Sequence, residues 1–301
     1  MSTMPSSLSL GVALEDVGAE IDRRFDALLP VPDDARADLY RAMRHAAIGG
    51  GKRLRPLLVF ATAALFNVDR SCVARAATAI EAVHVYSLIH DDLPAMDDDD
   101  MRRGKPTVHK AFDEATAILA GDSLLTLAFE WLADPDTHPD PFVRAELVLE
   151  LGRAAGPGGM TGGQALDIAA ETASLTLAEI TRLQALKTGA LIAVSVEAGA
   201  ILGKLPADGR MRLRAYARDI GLAFQIADDL LDVEGDEAKA GKKLRKDEEA
   251  GKETFVSLLG IDRAREQAAM LVDQAIGHLR DYGAEAHLLR EIARFIVRRD
   301  R

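Results

Sequence analysis

Two clusters of aspartates are the residues of this chain whose type and spacing could do chemistry. The first, DDLPAMD, begins at Asp91 and ends at Asp97, and the second, DDLLD, runs from Asp228 to Asp232. Helix positions four apart share one face, so the outer carboxylates of the second cluster repel each other unless a cation neutralises them. Oxygen-only ligands favour a hard ion such as magnesium, which also accepts phosphate oxygens from a substrate.

The first cluster needs a turn to bring its outer acids together. A spacing of six residues would put Asp91 and Asp97 about 240° apart on an unbroken helix. Pro94 and the restricted residue before it end helices, so we predict a curl that lets Asp97 face Asp91. A single aspartate motif of this kind is usually a solvated helix end. Both clusters here follow apolar helices, and acids at the end of a buried helix are seldom ordinary surface residues. A calcium loop is disfavoured because the alternating ligands and the central glycine are missing.

Basic residues recur in segments that could serve an anion. Arginine offers a planar fork to phosphate oxygens and lysine a mobile point charge. Each segment alone is more often a solubilising surface, but beside two acidic clusters of metal-binding type the set indicates a diphosphate. The segments carry Lys52, Arg53, Arg55, Arg102, Arg103, Lys105, Lys187, Lys242, Lys243 and Lys252.

Charge and composition exclude other classes of protein. The formal net charge of -11 argues against a nucleic-acid binder, and the residues 91–100 and 228–237 hold enough acids to account for it. Cys72 is the one cysteine, which fits a reducing compartment. The first residues lack a basic start and a long apolar core, and no stretch offers about 18 uninterrupted apolar residues. We therefore predict a soluble, cytoplasmic protein without stable membrane insertion.

The elements that must position these residues are helices. Apolar residues recur at three and four, as in Leu54, Leu57, Leu58 and Ala61, whereas strand signals are weak and aromatic residues make up only 5%. The long segments 71–92, 177–203 and 209–234 are apolar on more than one face, which is typical of helices buried in a bundle. No linker divides the chain, so we predict an all-α fold with a single domain over residues 1–301.

Several motifs in order give the sequence a family resemblance. They are GGGKRLRP at 49–56, EAVHVYSLIHDDLPAMDDDDMRRGKPT at 81–107, GGQALDI at 162–168, KTGALI at 187–192, GLAFQIADDLLD at 221–232 and GKETF at 251–255. Over nearly its whole length the chain resembles bacterial members of the trans-isoprenyl diphosphate synthase family. The resemblance implies a bundle of long helices around a deep central cavity, with both aspartate motifs at its mouth, and a homodimer.

The resemblance also implies roles for individual residues. Three magnesium ions would be held by Asp91, Asp92, Asp97 and Asp228. The allylic diphosphate would be held by Arg102, Lys187, Thr188, Gln225, Lys242 and Lys252. Lys243 is the alternative to Lys242. Isopentenyl diphosphate would be held by Lys52, Arg55, His84 and Arg103. Seven residues make about two helical turns, so His84 shares the face of Asp91, although a histidine within a helix is more often a core residue.

The implied activity is a magnesium-assisted prenyl transfer. The enzyme would condense isopentenyl diphosphate with dimethylallyl and geranyl diphosphate to give farnesyl diphosphate, with the allylic diphosphate ionising first. Thr188, Gln225 and the carbonyl region of Lys187 would stabilise the cation by dipoles. A geranylgeranyl diphosphate synthase has the same parts and is the near alternative. A terpene cyclase usually lacks the paired arginines, and an inactive partner subunit would have lost a ligand, of which none is lost here.

Product length is predicted from the residues just before the first cluster. Tyr86 lies five residues before Asp91, roughly 7.5 Å deeper along the helix axis. An aromatic ring spans a narrow cavity better than the next residue, Ser87, and in the resembling family an aromatic at this position goes with the fifteen-carbon product. The alternative is that Tyr86 only packs in the core or in a dimer.

Overall fold

Helices make up most of the described structure. The computed structural model describes residues 9–170, 173–234 and 253–298. Within them the α-helices are α1 (Leu10–Leu28), α2 (Ala37–Ala47), α3 (Leu54–Ala64), α4 (Arg70–Asp91), α5 (Val108–Ala111), α6 (Glu114–Ala133), α7 (Pro141–Ala155), α8 (Met160–Ala170), α9 (Leu177–Gln184), α10 (Ala190–Leu202), α11 (Met211–Glu234), α12 (Phe255–Leu259), α13 (Ile261–His278) and α14 (His287–Arg298). A π-helical turn (Ala185–Gly189) joins α9 to α10, and a 3₁₀ helix (Arg280–Ala286) precedes α14.

Side-chain caps fix where several helices begin. The Asp69 carboxylate accepts from the backbone N–H of Ser71 at the start of α4, and that of Asp113 does the same for Thr116 at the start of α6. Thr176 and Glu179 form a reciprocal capping box on α9. Each such cap satisfies N–H groups that have no partner inside the helix and stabilises it by about 1 kcal/mol.

The core is built around α4 and α10. Helix α4 packs against α3 and α6, and α10 packs against α3, α7 and α11. Nearly every residue of α10 is buried. A helix that is apolar on all sides belongs inside a bundle, so the predicted all-α fold is confirmed. The predicted long helices appear at Arg70–Asp91, at 177–202 with the π turn inside, and at Met211–Glu234.

A small β-ribbon was not predicted. Strand β1 (Met101–Arg102) pairs antiparallel with β2 (Lys105–Pro106). The two residues between them both have positive φ, 53° at Arg103 and 75° at Gly104. Two consecutive positive φ values define the tight hairpin turn that matches strand twist, and the glycine makes it accessible. The Arg-Gly pair was the sequence signal for this turn.

In the part of the chain that the structure describes, three helical segments are long and apolar enough to cross a membrane by length and composition alone. They are Arg70–Asp91, Glu114–Ala133 and Leu177–Leu202. The apolar windows of the first and third are 72% and 61% buried inside the bundle, but that of Glu114–Ala133 is only 39% buried. Helix α6 therefore leaves an apolar face, including Ile118 and Leu119, on the outside.

The contact between α10 and α3 generates a stability prediction. A Cβ added at Gly199 would lie 2.6 Å from the Ala63 backbone nitrogen and 2.8 Å from the Val59 carbonyl oxygen. We expect Gly199→Ala to lower the free energy of unfolding by about 1–3 kcal/mol, measured by urea denaturation, because two backbones must separate. Gly11→Ala is the matched control, because a Cβ there meets nothing within 4 Å. Equal stabilities of the two variants would contradict the close packing.

Candidate active site

The first aspartate cluster forms a turn at the end of α4. The helix ends at Asp91, and the backbone N–H of Asp97 then donates to the carbonyl oxygen of Asp91 at 2.8 Å. Asp98 has a positive φ of 48°, which helps the chain to curl. The predicted helix end before Pro94 is confirmed, and the turn brings the two outer acids of the cluster to the same place.

Burial makes these carboxylates hard to ionise. It raises the pKa of Asp91 to about 6, with Lys187 opposing the shift and Asp97 adding to it. The pKa of Asp92 is likewise raised by burial to about 6, against the effect of Arg102. Acids whose charged form is this unfavourable gain from a nearby cation, which removes both the desolvation cost and the mutual repulsion.

Arg102 partly supplies that positive charge. Its Nε donates to the Asp92 carboxylate at 2.5 Å, and its Nη2 lies 3.3 Å from Asp99. Arg102, which was predicted to bind the allylic diphosphate, and Asp92, which was predicted to bind magnesium, are therefore paired with each other. Among the described residues, no three aspartate, glutamate, histidine or cysteine side chains converge with metal-ligand geometry. An oxygen donor set that lacks a complete cage still fits magnesium, because this ion keeps waters and completes its shell with substrate phosphates.

A hydrogen-bonded chain links the π turn to α11. The Thr188 hydroxyl donates to Gln225 Oε1 at 3.3 Å, and Gln225 Nε2 donates to Asp229 Oδ1 at 3.0 Å. The other oxygen of Asp229 accepts from the backbone N–H of Phe255 at 2.9 Å. The structure thus brings Thr188 and Gln225 together. Asp229 is buried and orients Gln225, so the two adjacent acids Asp228 and Asp229 have different surroundings.

Lys187 contacts an acid that the sequence analysis did not single out. Its Nζ lies 2.6 Å from the Asp167 carboxylate on α8. Asp167 belongs to the GGQALDI motif, for which no role was predicted. The sequence shows that Asp167 is an acid within this motif. Its partner Lys187 lies 20 residues away, so only the fold identifies the pair.

A separate cavity of about 250 Å³ collects the second predicted set of residues. Its lining includes Lys52, Arg55, His84, Arg103, Phe224 and Phe295. The four residues assigned to isopentenyl diphosphate therefore meet in one place. The two phenylalanines were not predicted. The ring of Phe295 lies under the Lys52 ammonium, with its centre 5.9 Å from Nζ, within reach of a cation–π interaction.

Arg53 anchors the loop that carries Lys52. Its guanidinium is buried, and donates to Glu81 at 2.8 Å and to Asp22 at 2.7 Å. The residue also adopts a left-handed backbone conformation, with φ at 50°. The sequence analysis assigned this arginine only to a basic segment. Its buried ion pairs give it a positioning role at the start of α3.

His84, which lines this cavity, is neutral. Burial lowers the pKa of His84 well below its usual value, and the cations Arg55 and Arg103 lower it further. Burial also lowers the pKa of the Arg55 guanidinium, although the Glu81 carboxylate opposes that shift. The positive charge of the cavity therefore comes from lysine and arginine, and His84 contributes a neutral imidazole.

Tyr86 is buried one to two turns below the first cluster. Its ring packs edge-on against His90, with ring centres 5.8 Å apart, and burial raises its pKa to about 12. The neighbouring Ser87 hydroxyl donates to the carbonyl oxygen of His84 at 2.9 Å. Lys242, Lys243 and Lys252, which the sequence analysis assigned to diphosphate, lie outside the described residues.

Comparison with known proteins agrees with this arrangement. Residues 36–293 match the polyprenyl synthetase family. A farnesyl diphosphate synthase of Escherichia coli (strain K12) is 45% identical over 287 residues, covering 92% of this chain and 94% of that protein. One from Geobacillus stearothermophilus is 45% identical over 265 residues, covering 88% of this chain and 89% of that protein.

A solved structure extends the likeness to the fold. An FPP/GFPP synthase from Zymomonas mobilis, determined in its apo form, is 59% identical, with a TM-score of 0.88 over 96% of this chain and 98% of that one. The fold is therefore of the all-α isoprenoid synthase type. The chain belongs to the polyprenyl synthetase family.

The contacts of Asp229 generate a prediction about the second cluster. Asp229→Ala removes the acceptor for the buried Phe255 N–H and for Gln225, so we expect the free energy of unfolding to fall by about 1–3 kcal/mol in urea denaturation. Asp97→Ala is the comparison. Asp97 is exposed in the first cluster, so its replacement should lower the free energy of unfolding less. A larger loss for Asp97→Ala would mean that Asp229 is not the structural acid.

Proposed function

We propose that the protein is a farnesyl diphosphate synthase, which condenses isopentenyl diphosphate with dimethylallyl and then geranyl diphosphate. The observation that carries this proposal is the convergence of Lys52, Arg55, His84 and Arg103 on one cavity whose wall continues into α4, the helix that ends at the first aspartate cluster. A second diphosphate substrate requires such a second basic site, which a terpene cyclase does not need. Relatives of nearly full length that are named farnesyl diphosphate synthases support the same function.

The ligand assignments belong to this proposal. Magnesium would be held by Asp91, Asp92, Asp97 and Asp228, in three ions, and when bound it supplies positive charge to the departing diphosphate. The allylic diphosphate would meet Arg102, Lys187, Thr188, Gln225, Lys242 and Lys252. The raised pKa values of Asp91 and Asp92 support a cation there, since burial disfavours their charged forms.

The chain's own residues have distinct tasks in the proposed reaction. Lys187 and Arg102 hold the allylic diphosphate as its carbon–oxygen bond breaks and the electron pair leaves with oxygen. Thr188 and Gln225 face the resulting cation with neutral dipoles, which stabilise it without trapping it. The isopentenyl double bond then forms the new carbon–carbon bond, and a proton is lost to the released diphosphate. Neutral His84 needs no proton transfer in this scheme.

Two further proposals concern assembly and location. We propose that residues 1–301 form one domain, since α1 packs on α3 and α4, and α14 packs on α3 and α11. We also propose a cytoplasmic homodimer. Its support is the apolar surface of α6 and α7, where Ile118, Leu119 and Phe142 are exposed, the last by 84%. Pairing these faces would cover the apolar side of α6, whose apolar window is only 39% buried.

The reaction itself is tested by product analysis with labelled isopentenyl diphosphate and geranyl diphosphate. We expect a fifteen-carbon product that requires magnesium, and a loss of turnover by orders of magnitude in Asp91→Ala, because the proposed role of this carboxylate is to hold the metal. Asp38→Ala is a matched control, since it removes an acid from an exposed pair with Arg41 on α2. Full turnover in a chelator would refute the mechanism.

Product length is tested at Tyr86. Replacing this buried ring by alanine should open the space below Asp91 and shift the main product from fifteen carbons to twenty or more, while the first condensation stays fast. The Zymomonas mobilis relative is described as an FPP/GFPP synthase, so more than one product from the wild-type chain is a second candidate outcome. Tyr86→Phe, which keeps the ring, serves as the matched control. A Tyr86→Ala variant that stops cleanly at fifteen carbons would remove this residue as the floor.

A further inference from the structure

Helix α8 carries a motif that the proposed function leaves without a role. Two residues of GGQALDI, Gly163 and Asp167, are four apart in this helix and therefore share one face. That face packs against the π turn that bears Lys187. The rest of the motif's polar content, Gln164, is only partly buried.

Gly163 sets how close the two backbones come. A Cβ at this position would lie 2.1 Å from the Lys187 backbone nitrogen and 2.5 Å from its Cα. No side chain fits in that space, so α8 lies directly against the turn. The main chain of Lys187 is thereby held in place by a neighbour to which the proposed function assigns no ligand.

Asp167 then reaches the other end of the same lysine. One turn along α8, its carboxylate lies 2.6 Å from Lys187 Nζ, and the two side chains are only 14% and 27% exposed. A partly desolvated, charge-assisted bond of this length is among the stronger contacts available to a lysine.

We infer that Asp167 is a positioning residue that aims the Lys187 ammonium at the allylic diphosphate, with Gly163 fixing the lysine backbone. This inference rests on the proposed function, in which Lys187 binds that diphosphate. A free lysine side chain has four rotatable bonds to order when it binds an anion. Asp167 orders them beforehand and leaves the other two N–H donors of the ammonium for phosphate oxygens.

If Asp167 does not position Lys187, its carboxylate should weaken the binding of the allylic diphosphate and not strengthen it. A carboxylate near a diphosphate repels it, and a carboxylate that merely competed for Lys187 would weaken substrate binding. Removing the charge would then improve the allylic substrate's kcat/KM, and moving it by one methylene would change little. Positioning predicts that both changes are harmful, because both displace the ammonium.

The experiment compares Asp167→Asn, Asp167→Glu and Lys187→Ala in the full chain, with kcat and KM measured for each substrate. We expect both Asp167 variants to lower kcat/KM for geranyl diphosphate by about tenfold and to leave the KM for isopentenyl diphosphate unchanged. Asp38→Asn, which removes the acidic charge of an exposed pair on α2, should change neither. Melting temperatures show whether each variant is folded.

A double-mutant cycle separates the outcomes. If Asp167 acts through Lys187, adding Asp167→Asn to Lys187→Ala should cost nothing further. A loss that is additive in the double variant, or improved allylic kcat/KM in Asp167→Asn, would overturn the positioning role while leaving the proposed function intact. A Lys187→Ala enzyme with unchanged allylic kcat/KM would instead refute the assignment of Lys187, and the inference with it.

Discussion

Like-charged carboxylates held at the ends of buried helices are the constraint on which the site depends. Asp91 and Asp92 are placed where burial raises their pKa to about 6, and the first turn brings Asp97 beside Asp91. Folding alone does not relieve this repulsion. The nearby cations of Arg102 and Lys187 reduce it, and the proposed magnesium diphosphate would remove the rest.

Tight backbone packing positions the opposing charges. Glycines let α8 approach the π turn and α10 approach α3 at distances that any side chain would prevent. A π turn displaces its residues from the regular helical register and is frequent at functional sites. Here it directs Thr188 toward Gln225 and Lys187 toward Asp167, so two side chains adjacent in sequence contact different helices.

Much of this could be predicted from local sequence. The helix end before Pro94 follows from proline geometry, and the all-α bundle follows from apolar periodicity, which are both properties of short segments. The pairing of Lys187 with Asp167 and the burial of Arg53 between Glu81 and Asp22 were not predicted, because they depend on which helices become neighbours. The β-ribbon was missed since its two-residue strands have no periodicity to detect.

Under the proposed function, the aspartates bind their cation together with a diphosphate and not as an independent cage. Calorimetric titration of the full chain with magnesium, with and without inorganic diphosphate, tests this most directly. We expect strong magnesium binding only when diphosphate is present, and its loss in Asp91→Ala. Equally tight magnesium binding in the absence of any diphosphate would contradict it.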